Sequence, residues 1–267
     1  MTRRVCVLKL GSSVIPDEAA LAASAAEILR WRDRGYHVVA VVSAFAGVTD
    51  DLHATAGRLC DEPRPDLLAA LQATGEAHSA AMLALACHQR GLRPTVLDAR
   101  TLGIVTDGPP LDAWPRQLAS SALARALDIH PIVVVPGFVG CGIAGETTLL
   151  GRGGSDMTAL FLAHTLGADR CVLLKDVDGW YVDDPRIAGF GSPRYQTLHW
   201  DDALESPAPL VQDKAVALAR SLRQPFDVAS LDSLHPTAVG PTPTHLNVPI
   251  AVSNRVDTAA DLDEAQP

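Results

Sequence analysis

The chain is punctuated by short runs that are apolar at nearly every position: Val5–Leu10 (VCVLKL), residues 37–44 (HVVAVVSA) and residues 131–139 (PIVVVPGFV). A run that is apolar throughout, rather than at alternate positions, reads as a strand covered on both faces. Between the first two runs, residues 17–34 are Ala-rich, with Asp17 and Glu18 early and Arg30, Arg32 and Arg34 late, and Gly35 follows. That is the charge order and the terminator of a helix. Residues 65–89 read as one or two helices softly broken near Gly75, residues 95–99 as a short strand and residues 114–127 as a helix. The rhythm then returns: helix at 155–166, strand at 171–174, helix at 213–222, strand at 226–230, and a last apolar run at 248–252. Strands alternating with helices predict an α/β fold whose mainly parallel sheet carries helices on both faces.

Composition narrows the function classes. At 48% hydrophobic and 20% charged residues, the 267-residue chain can bury a full core. A formal net charge of −9 argues against nucleic acid as a partner. The five cysteines (Cys6, Cys60, Cys87, Cys141 and Cys171) lie far apart without a CxxC pair, neither a zinc cluster nor a disulfide framework. No apolar run approaches the ~18 residues of a membrane helix. The N-terminal apolar stretch is interrupted at Lys9 and falls short of a signal-peptide core. The expectation is a soluble, cytoplasmic protein with no membrane partner. No internal repeat or linker appears, so one domain over residues 1–256 is expected, with a frayed acidic tail at 257–267.

The chemistry concentrates at three strand-to-loop junctions. In Lys9-Leu10-Gly11-Ser12-Ser13, Gly and Ser at the end of a strand set backbone N–H groups where an anion can approach. Lys9 sits within the strand, where an unpaired ammonium is costly, so it either faces a functional crevice or snorkels to solvent. In Gly151-Arg152-Gly153-Gly154-Ser155-Asp156, three glycines precede a helix whose N-terminus favours anions. Ser155 is a candidate N-cap there, Arg152 a carboxylate partner, and Asp156 either a capping charge or a site residue. The ending differs from a Walker loop, which requires Lys-Ser/Thr. In Lys175-Asp176-Val177-Asp178-Gly179-Trp180-Tyr181, a strand runs into two carboxylates that alternation points the same way; an exposed acidic hairpin is the bland alternative.

Residues 148–159 (TLLGRGGSDMTA) closely resemble the TLGRGGSD-T-A signature of aspartate kinases, and KDVDGWYVDDPR resembles their nucleotide-binding segment. VVSAFAGVTDDL (41–52), Gly75-Glu76 with Ser79, and VVPGFVG (134–140) resemble further elements of that family in the right order. The KLGSSV opening is closer to glutamate 5-kinases, Lys175 stands where the family has Thr or Ser, and the segment around Lys214 keeps little beyond the lysine and a valine. The resemblance, to the amino-acid kinase superfamily and its aspartate kinase branch, implies a three-layer αβα sandwich with a mostly parallel sheet of about eight strands. It also implies a catalytic domain without the ACT regulatory domains that ordinarily follow, and a homodimer.

By that resemblance the chain would move the γ-phosphoryl group of ATP, carrying Mg2+, onto a carboxylate of a small amino acid, the β-carboxylate of L-aspartate first among them. Lys9 and Lys214 would contact the phosphoryl oxygens, Asp156 would orient both lysines, and Gly11, Ser12, Gly153 and Gly154 would cradle the phosphate. Thr49, Glu76, Arg152 and Ser155 would hold the acceptor. Lys175, Asp176, Tyr181 and Arg186 would line the nucleotide site, with Lys175 directed at the phosphates, at Asp178 or outward. Glutamate, an N-acyl amino acid, carbamate or a phosphate monoester are alternative acceptors, and a catalytically silent binding homologue is the rival from another class.

Overall fold

The computed structural model describes residues 3–188 and 192–247. The apolar run 248–252 and the tail 257–267 lie outside the described residues, as does the side chain of Arg186. In chain order the elements are β1 (Val5–Leu10), α1 (Leu21–Asp33), β2 (His37–Val42), α2 (Val48–Leu59), α3 (Pro65–Gln89), β3 (Pro94–Val96) and α4 (Ala99–Leu102). There follow β4 (Ile104–Asp107), β5 (Trp114–Leu118), α5 (Ala122–Ile129), β6 (Ile132–Pro136), β7 (Val139–Cys141), β8 (Thr147–Leu149) and α6 (Gly154–Leu166). The rest is β9 (Arg170–Leu174), α7 (Pro185–Ala188), β10 (Arg194–His199), α8 (Trp200–Leu204), α9 (Asp213–Leu222), β11 (Phe226–Ala229), β12 (Thr237–Gly240) and β13 (His245–Asn247).

Among the described residues a nine-stranded sheet runs β13-β10-β12-β11-β9-β1-β2-β6-β3, and a second sheet of four strands runs β5-β4-β7-β8. The large sheet is parallel except at the β11–β12 and β10–β13 pairs, so it is mixed. Its core is fully sequestered: all six residues of β1 are buried, as the uninterrupted apolar run requires. Side-chain alternation splits β1 between two cores. Val5 and Val7 join Met157 and Leu160 of α6, whereas Cys6, Leu8 and Leu10 join Ile28 and Trp31 of α1 and Leu83 of α3. Each such side chain contributes roughly 1.5–3 kcal/mol by leaving water. Among the described residues no helix is long and apolar enough to cross a membrane.

Two expectations are corrected. Residues 114–127 are not one helix: Trp114–Leu118 is a strand paired antiparallel to β4, and only Ala122–Ile129 is helical. Pro115 offers no N–H and pushes Trp114 to an extended conformation, which overrides the helix pattern. Nor does Gly75 break its helix; α3 is continuous over 25 residues. A Cβ on Gly75 would lie 3.0 Å from the Ala44 Cβ and 3.1 Å from Val48 Cγ1, so the glycine serves close packing of α3 on the loop after β2.

Candidate active site

The position of β1 locates the site. Its neighbours are β2 on one side and β9 on the other, so the chain leaves β1 in one direction and returns in the opposite one. In an open α/β sheet, ligands occupy the crevice beyond the carboxyl ends of the strands at such a switch point. A cleft of about 410 Å3 opens there. It collects the end of β1 (Lys9, Gly11, Ser12), the start of α2 (Thr49), Glu76 of α3, residues 151–156 before and within α6, and Lys175 beyond β9.

Strand parity carries two cations into it. Val5, Val7 and Lys9 share the α6 face of β1, and Cys171, Leu173 and Lys175 share the same face of the adjacent strand and its extension. Asp156, in the first turn of α6, meets both. Its Oδ1 lies 2.8 Å from Lys9 Nζ, and its Oδ2 accepts a hydrogen bond from Lys175 Nζ at 3.0 Å. The Lys9 contact is an ion pair without hydrogen-bond alignment. All three side chains are at most 10% exposed. Burial pushes the Asp156 carboxyl up, but the ammonium groups of Lys175 and Lys9 overcome it and hold it at about 2. Burial draws the Lys9 ammonium down, against the pull of Asp156. Two ammonium groups on one carboxylate leave 2 − 1 = +1, at the N-terminus of α6, where an anion is favoured.

The glycines around this cluster set approach distances. A Cβ on Gly11 would stand 2.5 Å from Lys9 Nζ, so the lysine curls back over a position that has to lack a side chain. Gly153, not Ser155, is the N-cap of α6; its φ of 78° lies in the left-handed region, and Ser155 is buried within the first turn. Phe138 lines the same cleft with a φ of 67°, a costly conformation for a bulky residue, and donates its N–H to Thr158 Oγ1 at 3.0 Å.

Two further residues lining the cleft, Glu76 and Arg152, carry the charges that suit a zwitterion. Glu76 is 2% exposed; one carboxyl oxygen accepts from the Ala44 N–H at 3.2 Å, and the other has no partner among the described residues. Burial raises this carboxyl to about 7, against the lowering by the Ala44 N–H. Arg152 is exposed on the cleft rim without a described partner. Ser79, of the same sequence element as Glu76, is spent on the helix, donating to the Gly75 carbonyl at 3.2 Å.

Lys214 is placed differently from the expectation that Asp156 orients it together with Lys9. Its ammonium donates to Asp112 Oδ1 at 2.5 Å, the Leu150 carbonyl at 2.8 Å and the Ala113 carbonyl at 3.1 Å, and lies 5.0 Å from the Trp114 ring centroid. The partner that Asp156 takes in its stead is Lys175. Asp112 was not singled out in the sequence, where it sits in a Pro-Pro turn with no sign of a distant lysine.

Tyr181 and the segment 207–210 border a second cleft, of about 530 Å3, floored by Trp180. Trp180 is fully buried and donates from its indole to Ser206 Oγ at 3.2 Å. Tyr181 donates to Asp178 Oδ1 at 2.6 Å, and Arg194 holds the other Asp178 oxygen at 3.0 Å, so Asp178 is committed to this wall. Asp176 is exposed and borders neither cleft. Arg186 lies on α7. The wall at 207–210 carried no recognisable pattern in the sequence.

The amino acid kinase family model matches residues 4–232. The aspartokinase of Geobacillus stearothermophilus is 32% identical over 229 residues, 85% of this chain and 56% of that protein. The aspartokinase of Thermus thermophilus is 32% identical over 266 residues, 97% of this chain and 64% of that one. The chain thus spans little more than half the length of such curated relatives. Among solved structures, aspartate kinase from Synechocystis aligns with a TM-score of 0.75 at 31% identity, over 90% of this chain and 40% of that one. E. coli aspartokinase III, in complex with aspartate and ADP, aligns at 0.78 with 24% identity, over 90% and 65%. UMP kinase from Bacillus anthracis shares the fold at 0.62 and 15% identity, over 92% and 99%. Matched over most of its length by the family model, and by relatives above 30% identity, this chain belongs to the amino acid kinase family.

Proposed function

We propose that the chain transfers the γ-phosphoryl group of Mg·ATP to the β-carboxylate of L-aspartate. The observation that carries this reading is one cleft with two kinds of charged lining. One is a buried cluster of net charge +1 at a helix N-terminus; the other is an unpartnered Glu76 oxygen together with the exposed Arg152 on the same cleft. The first suits a phosphoryl group in transit, and the second suits the ammonium and carboxylate of an amino acid. The second cleft, on the wall reached from Lys175 through Gly179 to Tyr181, would take the nucleoside. Aspartokinase relatives support the acceptor.

In the step itself, an oxygen of the acceptor carboxylate forms a bond to the γ-phosphorus. The bond from that phosphorus to the β,γ-bridging oxygen breaks, and its electron pair leaves with ADP; an acyl phosphate results. A carboxylate is ionised at neutral pH, so no general base is required. The work left to the protein is alignment and charge neutralisation. Mg2+ would arrive held by the nucleotide phosphates; among the described residues no group of three or more His, Cys, Asp or Glu is placed to hold a metal ion. Residues 1–256 as one catalytic unit, a homodimer and a cytoplasmic location belong to the same proposal.

Purified protein incubated with Mg·ATP and hydroxylamine should form hydroxamate with L-aspartate, and little with L-glutamate or N-acetylglutamate. Hydroxamate with another acid and none with aspartate would reassign the acceptor site of the cleft. Gly11→Ala offers a local check. Its φ is ordinary, so the backbone is not strained and the protein should still fold, but the added Cβ displaces the Lys9 ammonium. Turnover should fall roughly a hundredfold, as expected when a group that positions the phosphoryl moves by an ångström. Unchanged kcat in a folded Gly11→Ala protein would remove Lys9 from the reaction.

A further inference from the structure

We infer that the second phosphoryl-binding cation of this chain is Lys175, and that Lys214 is a structural clamp; the inference deepens the proposed phosphoryl transfer and rests on it. An ammonium has three N–H donors. Those of Lys214 are matched by Asp112 Oδ1, the Ala113 carbonyl and the Leu150 carbonyl, and the Trp114 ring covers the side chain. That arrangement ties the start of β5 to the residue preceding the glycine loop. Freeing Lys214 for a phosphate would leave the Ala113 and Leu150 carbonyls without that donor, and it does not border the cleft.

Lys175 has the opposite profile. It borders the cleft, its side chain is 10% exposed, and among the described residues its ammonium has one partner, Asp156 Oδ2. Its backbone is fixed, since the Lys175 N–H donates to the Ala229 carbonyl at 2.8 Å. Two donors remain for an anion. Because β1 and β9 are parallel neighbours, Lys9 and Lys175 flank Asp156 from adjacent strand ends, and a phosphoryl group above the carboxylate would meet both. Lys175 also stands where the chain passes from the first cleft toward Gly179 and Tyr181 of the second. As the γ-phosphorus passes from the bridging oxygen to the acceptor, Lys9 and Lys175 hold its oxygens from both sides, and Asp156 keeps the two ammonium groups from repelling each other.

The test compares Lys175→Met, Lys175→Arg and Lys214→Met with the parent protein, measuring affinity for Mg·ATP and for Mg·ADP, aspartyl hydroxamate turnover and thermal melting. Lys175→Met should lose roughly tenfold or more of the preference for ATP over ADP, and roughly a hundredfold in kcat. Lys175→Arg, which keeps the charge and the fold, should restore most of the ATP preference. Lys214→Met should show the larger fall in melting temperature and the smaller fall in ATP preference. An ATP preference unchanged in Lys175→Met, or a larger loss of it in Lys214→Met, overturns the inference. So does a parent protein that does not distinguish ATP from ADP. A parent protein that prefers ATP yet forms no aspartyl hydroxamate refutes the acceptor and leaves the nucleotide comparison to decide Lys175.

Discussion

Asp156→Asn should be both the least stable and among the least active of the simple site variants. The substitution leaves two buried ammonium groups about one lost carboxylate, so the local charge rises from +1 to +2. Removing one partner from a buried ionic group costs about 3–5 kcal/mol, because the survivors keep their desolvation penalty without compensation. Turnover should fall roughly a hundred- to a thousandfold, the scale for losing a group that organises transition-state charge. Mg·ATP affinity should hold or tighten, since the extra positive charge favours the ground-state anion as well. The stability deficit should narrow as pH rises. Burial already draws Lys9 below its ordinary range, and without Asp156 it releases its proton at lower pH still, while the unfolded chain keeps that proton. A folded state that binds fewer protons than the unfolded one gains stability with increasing pH. Chemical denaturation of both proteins at several pH values checks this; a variant within 1 kcal/mol of the parent throughout would mean that the Lys-Asp-Lys cluster is not under electrostatic stress.

Glu76 sets the pH dependence of the acceptor site. Its carboxyl is raised from an ordinary 4.5 to about 7, so the empty folded protein holds a proton there that the unfolded chain has released. That group's contribution is therefore complete below 4.5 and declines as pH climbs through 7, by about 3 kcal/mol in all. Glu76→Gln should flatten that slope. Binding runs the other way. An acceptor ammonium needs the ionised carboxylate, so below pH 7 the affinity of the parent protein for L-aspartate should fall toward tenfold per pH unit. Glu76→Gln should bind weakly at every pH and show no such step. Aspartate titrations from about pH 5 to pH 9 distinguish these outcomes, and a parent affinity flat across that range would exclude Glu76 as the ammonium's partner.

The parts of this molecule legible in the sequence share one property: the signal was local. An apolar run interrupted by a single lysine marks β1 and the one cation it carries, and three glycines before a helix mark the start of α6. What escaped depends on distant pairing. Lys214 and Asp112 are 102 residues apart, and nothing near either announces the other. From the sequence Lys175 reads as a nucleotide contact directed at the phosphates, at Asp178 or outward; only the register of β9 beside β1 turns it toward Asp156. Trp114–Leu118 looked helical because its apolar spacing suits either state, and Pro115 outweighs that spacing. The mixed character of the large sheet arises where β12 and β13, of four and three residues, pair antiparallel with β11 and β10, and runs so short carry no period of their own.

The placement of Lys9 by parity has a consequence for how such a segment can change over time. At Val5, Cys6, Val7, Leu8 and Leu10, substitutions that keep small or branched apolar character should be absorbed, because each position answers to its own core. Insertions and deletions should not. One residue gained or lost in β1 would exchange the two faces, burying the ammonium against Ile28 and Leu83 and presenting an aliphatic side chain to Asp156. The segment is thus permissive in spelling and rigid in length: lineages descending from it can drift in identity at most positions of the strand, while the number of residues between its start and Gly11 stays frozen.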